Sequence, residues 1–132
     1  MGLISPCSNS HIDLQVRTRN FSKEIILLTK TIKYTIYSEN IIRQLLRSST
    51  SIGANYCEAK ETITNKDFVH KISLCLKEAK ETEYWLDLLN IVDNNQKINS
   101  FLKPEVDQFI KMFATMIKNK HVKMSSMLNA NN

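Results

Sequence analysis

The carboxylates and arginines in the middle of the chain are the residues whose types and spacing come closest to a chemical site. Glu81 and Glu83 stand within an apolar helical pattern, so at least one of them is expected to be partly buried. A buried carboxylate needs a cationic or hydrogen-bonding partner. Arg43 and Arg47, four residues apart on a predicted helix, are the natural partners, with Asn55 as a neighbour. We predict a polar lock that fixes the register of two helices. The alternatives are a catalytic carboxylate, for which no general acid appears, and a polar surface used in assembly.

The histidines and cysteines form no recognisable catalytic or metal-binding pattern. His11, His70 and His121 have no nucleophile or carboxylate at a suitable spacing. Asp67 stands three residues before His70, which comes near the Glu-x-x-His pairs of di-metal helical bundles but lies at a predicted helix start. The three cysteines are widely spaced and lack a CxxC pair, as is typical of small apolar core residues. We therefore predict no catalytic residues, no metal, no cofactor and no enzymatic activity.

Positive charge is concentrated in the first and last parts of the chain. The formal net charge is +5; residues 1–38 hold five basic and two acidic side chains, and residues 95–132 hold six and two. Lysines seven residues apart share one face of a helix and could follow a phosphate backbone. The alternative is an ordinary solvated surface, and no established nucleic-acid-binding motif is present. The candidate nucleic-acid-binding residues are Lys23, Lys30, Lys33, Lys111, Lys118, Lys120 and Lys123.

Length and composition favour a single all-α domain. The chain has 132 residues, enough for one domain with a buried core. Two Gly and two Pro are too few for the frequent turns of an all-β fold. No apolar run approaches the ~18 residues of a membrane helix, and the N-terminus lacks the basic and apolar regions of a signal peptide. We therefore expect a cytoplasmic protein without a membrane partner.

Apolar periodicity predicts the first two of four helices. Helix 1 is expected to start at Phe21 or Ser22, and its apolar face continues to Ile36. Helix 2 is expected to begin at Ser38, with Asn40 as the alternative cap. Because the apolar arc of helix 1 is wide, we expect more than one neighbour for it.

The second half of helix 2 and the whole of helix 3 carry the clearest pattern. Residues 48–54 are mostly Ser, Thr, Gly and Ala, which permit close approach of two backbones, so we predict a tight helix crossing there. The alternative is a break near Gly53. Thr64 or Asn65 is the predicted cap of helix 3, which covers residues 66–94.

Helix 4 is expected to open at Pro104, and its apolar stripe continues to Met124. Short connections favour an antiparallel up-down-up-down bundle, in which helices 1 and 4 are neighbours. The two basic segments would then lie side by side. The predicted organisation is a flexible tail over residues 1–16, a four-helix bundle over 17–124 and a frayed end over 125–132.

An ordered set of residues runs through both central helices and covers about a third of the chain. These are Gln44-Leu45-x-Arg47, Ser51-Ile52-x-x-Asn55-x-x-Glu58, Lys66-Asp67-Phe68, Leu76, Glu81-x-Glu83 and Leu86. In the order and spacing of this set, the chain resembles the four-helix-bundle proteins encoded in 23S rRNA intervening sequences. The chain departs from the family pattern at Cys57-Glu58-Ala59, where Ala-Glu-Gly is usual, and at Lys77-Glu78, where small residues are usual.

The resemblance implies a small cytoplasmic bundle that assembles as a ring-like homopentamer without enzymatic activity. The chain is also similar to the accessory protein of diversity-generating retroelements, which implies a basic pentamer that binds nucleic acid and a protein partner. Ile26, Leu27 and Trp85 are the apolar residues expected at the subunit contacts. Together with the charge asymmetry, this favours an oligomer that binds RNA or DNA through a basic face. The alternative is a protein-only scaffold that presents a surface to a partner protein.

Overall fold

A computed structural model describes residues 13–130 of the chain. These residues form four α-helices and no strand, so the predicted all-α four-helix bundle is confirmed. The helices are α1 (Leu14–Thr31), α2 (Ser38–Lys60), α3 (Asn65–Val92) and α4 (Lys103–Ala130), and a π-helical turn at Ile98–Leu102 leads into α4. Most of the predicted N-terminal tail, with His11, lies outside the described residues, as do residues 131–132. None of the described helices combines the length and the apolar character needed to cross a bilayer.

Contacts between the helices show that each one runs opposite to the next. Along every interface, residues near the start of one helix meet residues near the end of its neighbour. The pairs are Gln15 with Cys57 and Ser22 with Ser49 for α1–α2, Ser48 with Thr82 and Glu58 with Lys71 for α2–α3, and Asn65 with Lys120 and Asp87 with Lys103 for α3–α4. The α1 helix also packs on α4, since the rings of Phe21 and Phe109 meet edge to face with centroids 5.4 Å apart. This order places α1 between α2 and α4.

The small-residue stretch of α2 forms the tight crossing that the sequence predicts. Ser48 and Ser49 are fully buried, and the Thr82 hydroxyl of α3 donates to Ser48 Oγ at 2.9 Å. A Cβ atom added to Gly53 would lie 3.1 Å from Thr18 Oγ1 on α1. The α2 helix continues without interruption from Ser38 to Lys60, so a break near Gly53 does not occur.

The predicted bounds of helix 1 are wrong at both ends. The helix begins at Leu14, where the Asp13 side chain accepts a hydrogen bond from Gln15 N at 3.0 Å and caps the first turn. The sequence pattern hid this turn because polar Arg17 occupies a buried position. At the other end the helix stops at Thr31, and Ile36 lies in the loop with 84% of its surface exposed.

The other helix ends are closer to prediction. Thr64 caps α3 by accepting a hydrogen bond from Asp67 N at 3.1 Å, as predicted. Ser38 is the first residue of α2 and accepts from Thr35 N at 2.8 Å, which secures the loop before the helix. Pro104 is the second residue of α4 and not the first, because the π-helical turn continues directly into the α-helix at Lys103. The α4 helix continues through the segment predicted to be frayed, as far as Ala130.

Candidate nucleic-acid interface

Arg47 of α2 is the centre of the polar contact between the two central helices. Its Nη1 lies 3.3 Å from Glu78 Oε2, and its Nη2 donates to Glu81 Oε1. Glu81 also accepts from Trp85 Nε1 at 3.2 Å. The hydrogen bond from Arg47 is the largest cause of the lowered pKa of Glu81, and the bond from Trp85 is the second. The Arg47–Glu81 hydrogen bond also raises the pKa of Arg47. The carboxylate is thus held ionised by its partners, which is the state of a structural ion pair rather than of a general acid.

Three other members of the predicted polar lock lie elsewhere, so that part of the prediction is wrong. Arg43 pairs with Glu39 on its own helix, at 3.2 Å between Nη2 and Oε1. Asn55 donates to the Ser51 carbonyl one turn earlier, at 2.9 Å. Glu83 is turned about 200° around α3 from Glu81, because each residue of an α-helix adds about 100°.

Glu83 faces α4, where it meets other carboxylates. The pKa of Glu83 is raised to about 7, chiefly by a hydrogen bond with Asp107, then by burial and by the charges of Asp107 and Asp87. The nearby Lys103 ion-pairs with Asp87 and partly offsets this effect. Among residues 13–130, no group of three or more His, Cys, Asp or Glu side chains is arranged to hold a metal ion. The surroundings of Glu83 on α3 and α4 therefore favour the protonated form of its carboxyl group.

A buried ion pair that the sequence reading missed joins α1 to α4. Arg17 and Glu105 are 5% and 4% exposed, and Arg17 Nε donates to Glu105 Oε2 at 3.3 Å while Nη2 donates to Oε1. The guanidinium centre lies 5.5 Å from the ring centroid of Phe109, and Nη1 lies 3.5 Å from Met112 Sδ. The available signal was the spacing of Leu14, Arg17 and Phe21, which places the arginine on the apolar stripe.

The candidate lysines of α1 and α4 are mostly exposed. Lys23, Lys30, Lys33, Lys111, Lys118 and Lys123 are exposed, and Lys120 is half-buried. Within the described part of the chain, none of these seven lies within 4.0 Å of a carboxylate oxygen. Their charge is therefore not neutralised by a direct ion pair.

Four of these lysines face outward from the two packed helices. Lys23 and Lys111 each stand two residues past the phenylalanines that join α1 to α4, and therefore about 200° around their helices from that contact. Lys30 and Lys118 follow one heptad later and repeat the same orientation. We call Lys23, Lys30, Lys111 and Lys118 the outer basic face.

The remaining lysines lie apart from the outer basic face. Lys33 follows the end of α1. Lys120 turns toward α3, where its Nζ lies 3.4 Å from Asn65 Oδ1 and 5.1 Å from the Phe68 ring centroid. Because Met112 lies beside Arg17 near the start of α1, the later turns of α4, with both Lys118 and Lys123, extend past α1. Lys123 is turned about 140° around α4 from Lys118, because five residues add about 500°. The seven lysines thus do not form one compact patch.

The greater part of α4 has one further electrostatic property. Residues 108–130 contain no Asp or Glu, and their four lysines are Lys111, Lys118, Lys120 and Lys123. An acid-free helix with this spacing presents only positive charge to its surroundings. Residues 108–130 are therefore expected to attract anions.

Comparisons with known proteins found a matching family model and a similar solved structure. The family model described as "23S rRNA-intervening sequence protein" matches residues 11–115. A solved structure from Bacteroides thetaiotaomicron VPI-5482, described as a protein with unknown function from the S23 ribosomal protein family, is 32% identical with a TM-score of 0.71. The similarity covers 80% of this chain and 99% of that one. No functionally curated protein matches the chain. The family match, which includes all of α1, α2 and α3, shows that the chain belongs to the 23S rRNA-intervening sequence protein family.

Proposed function

We propose that the protein is a non-enzymatic, oligomeric helical bundle that binds RNA or DNA through its outer basic face. The observation that carries the proposal is the acid-free segment 108–130 of α4, whose exposed Lys111 and Lys118 have no carboxylate partner among the described residues. Lys23 and Lys30 on the adjacent α1 are also exposed and add further positive charge. Lysines at heptad spacing suit a phosphate backbone, and the resulting binding is dominated by charge and not by base sequence.

The names of the relatives give this proposal its direction. The family is described by an intervening sequence of 23S rRNA, and the Bacteroides thetaiotaomicron relative is assigned to a ribosomal protein family of unknown function. An RNA partner is the simplest connection between those descriptions and an exposed basic helix. A bacterial cytoplasmic location belongs to the same proposal.

Oligomerisation is supported by apolar side chains that the single chain leaves exposed. On α1 these are Val16, Ile26 and Leu27, which are 41%, 43% and 51% exposed. Tyr84 and Ile91 on α3 are 56% and 80% exposed, whereas Trp85 packs against the core. We propose that these surfaces meet in a homopentamer. They also favour the second candidate function, a protein-only scaffold whose oligomer presents a surface to a partner protein.

Fluorescence anisotropy with a labelled single-stranded RNA of about 20 nucleotides, and with a DNA duplex of the same length, tests the nucleic-acid proposal. The variant K111E/K118E reverses two charges of the outer basic face. We expect it to weaken binding at low salt by at least about 100-fold, because charge dominates the affinity.

The variant K77E/K80E is the matched control, since it reverses the same number of charges at exposed lysines of α3 that are not members of the outer basic face. Both variants change the net charge by the same amount, and we expect K77E/K80E to weaken binding by less than about threefold. Equal losses in the two variants would show that only the overall charge matters. If the native protein binds neither probe at low salt, the protein-only scaffold becomes the better account.

A further inference from the structure

The last turns of α4 continue the apolar stripe of the bundle beyond the helices that cover it. Phe109 and Phe113 are fully buried, whereas Met127 and Leu128 on the same stripe are 54% and 67% exposed. The family match ends at residue 115, so this extension belongs to the part of α4 outside the match. We call residues 116–130 the α4 extension.

Two adjoining hollows lie between the α4 extension and the start of α3. The first, of about 220 Å³, is lined by Phe68, Met116, Asn119, Lys120 and Lys123. The second, of about 350 Å³, is lined by Asn65, Met124, Met127 and Leu128. They adjoin because Lys120 of the first donates a hydrogen bond to Asn65 of the second. Together they form a groove with an apolar floor of methionine, leucine and phenylalanine.

The dimensions of this groove fit a short helix. Met116, Met124 and Leu128 are multiples of four residues apart and so follow one inclined ridge of α4, the kind of row that packs against a second helix. The stripe from Met116 to Leu128 is about 18 Å long, or roughly three helical turns. Methionine side chains are flexible and adapt to the side chains of a partner, as in other grooves that accept amphipathic helices.

Charge at the edge of the groove indicates which helix it accepts. Lys120 and Lys123 line the groove beside its apolar floor, and the α4 extension contains no acidic side chain. The acidic residue nearest in α3 is Asp67 of its first turn, which is accompanied by Lys66. A partner with carboxylates flanking an apolar stripe would complement this edge.

We propose that the α4 extension is a docking groove for an acidic amphipathic helix of a partner protein. The apolar floor favours a protein helix over nucleic acid, whose phosphates gain nothing from burying Met124 and Leu128. The lysines at the edge disfavour a second α4 extension, which would bring like charges together. The groove does not use Lys111 or Lys118, so it is separate from the outer basic face.

A model peptide tests the proposal with the full chain. The probe is a fluorescein-labelled peptide of about 14 residues, with leucine at every third or fourth position and glutamate elsewhere on a helix-forming alanine background. Its controls are a scrambled peptide of the same composition and a peptide with lysine in place of glutamate. We expect micromolar binding of the acidic amphipathic peptide, at least about tenfold tighter than either control.

Two variants of the chain locate the binding. M124E/L128E places two glutamates one turn apart on the stripe, and we expect it to weaken peptide binding by at least about tenfold. V122E/S126E places two glutamates at the same spacing on the opposite, exposed side of α4, and we expect a loss below about twofold. Because all four side chains lie outside the bundle core, circular dichroism should show unchanged helix content and thermal midpoint.

Several results would overturn the proposal. These are no peptide binding, equal binding of the scrambled peptide, or equal losses in the two variants. A lower mass of M124E/L128E by light scattering would mean that a second copy covers the stripe. If M124E/L128E weakens RNA binding as much as K111E/K118E does, nucleic acid occupies the groove. Failure of RNA binding alone leaves this proposal intact, because its probe and its residues are different.

Discussion

Arg17 and Glu105 form a charged contact inside an otherwise apolar interface between α1 and α4. Removing two charges from water is costly, and the pair is tolerated because both carboxylate oxygens are hydrogen-bonded and Phe109 covers the guanidinium. A pair of this kind contributes more to the choice of register than to net stability, because shifting α4 by one turn would separate the charges.

Removing one partner should therefore be far worse than removing both. We expect E105A to reduce the free energy of unfolding by about 3–5 kcal/mol, since it leaves the Arg17 charge buried without its carboxylate. The double variant R17M/E105L should recover most of that loss, because it replaces the charged pair with apolar groups of similar size. Urea denaturation measures both. A double variant as unstable as E105A would contradict this account of the pair.

Glu83 should make stability depend on pH in the neutral range. Its pKa rises in the folded state from an ordinary 4.5 to about 7, so the folded chain binds the proton more tightly than the unfolded chain. This contribution to stability is fully present below about pH 4.5 and is lost as the pH rises through about 7. We expect E83Q to raise the melting temperature at pH 8. The corresponding gain in the free energy of unfolding should be less than about 1 kcal/mol, because the site is partly solvated.

The same substitution should have little effect at pH 4, where Glu83 is protonated in both states. Thermal melts of the native protein and E83Q at the two pH values test the sign. A larger gain at pH 4 than at pH 8 would contradict a raised pKa of Glu83 in the folded state. E78Q is the control with the opposite sign. Glu78 accepts a hydrogen bond from Arg47, so its neutralisation removes a favourable contact and should lower the melting temperature at pH 8.

Sequence reasoning at the level of single residues succeeded where one helix face decided the outcome. The Arg47–Glu81 contact follows from the facing sides of α2 and α3. Glu83 was predicted to join the same contact, but it lies two residues after Glu81 and therefore faces α4. The Arg17–Glu105 pair was missed because an isolated charge on an apolar stripe reads as the end of a helix. Its partner lies 88 residues away, and only the packing of α1 on α4 brings the two together.

At the scale of elements, the close approach of α1 and α2 depends on Gly53. A Cβ at this position would lie 3.4 Å from Thr18 Cβ as well as close to its hydroxyl, so a larger side chain requires the Thr18 side chain to shift. We expect G53L to reduce the free energy of unfolding by about 1–3 kcal/mol through overpacking. A54L, at the adjacent exposed position, is the control and should change stability by less than about 0.5 kcal/mol. Equal effects in chemical denaturation would argue against a tight crossing.

Helix positions were more predictable than helix ends. The long period of α3, from Phe68 to Leu89, specified its face because every inward residue is apolar or small. The start of α1 and the entry to α4 depended on local contacts, namely the Asp13 cap and the π-helical turn, that leave little trace in apolar periodicity. The exposed apolar residues of the α4 extension read as a frayed end because the sequence alone does not show that α3 begins beside Lys120.

At the scale of the whole molecule, the proposed homopentamer predicts a mass in solution five times that of one chain. Multi-angle light scattering at micromolar concentration measures it directly. We expect I26E/L27E to reduce the mass to that of one chain, because two buried charges at each contact cost more than the contact contributes. The control T29E/T31E changes polar positions on the same helix and should leave the mass unchanged. A native protein that is already monomeric would rule out the pentamer.

The fold was predictable from the sequence to a greater extent than the function. Periodicity and the spacing around Arg47 and Asn55 indicated both the bundle and the family, and family membership is confirmed. The lysines were identifiable by type, but their division into an outer basic face and the edge of a groove required the path of α4 past α1.

The salt dependence of RNA binding is the measurement that tests the central claim most directly. Suppose that the four lysines of the outer basic face contact phosphates of a single-stranded RNA. A plot of the logarithm of the binding constant against the logarithm of salt concentration should then have a slope of about −3 for each protein chain that contacts the RNA. K111E/K118E should reduce the magnitude of that slope by about half, and K77E/K80E should leave it unchanged. Binding that does not vary with salt, or a slope that K111E/K118E leaves unchanged, would contradict the assignment of the outer basic face.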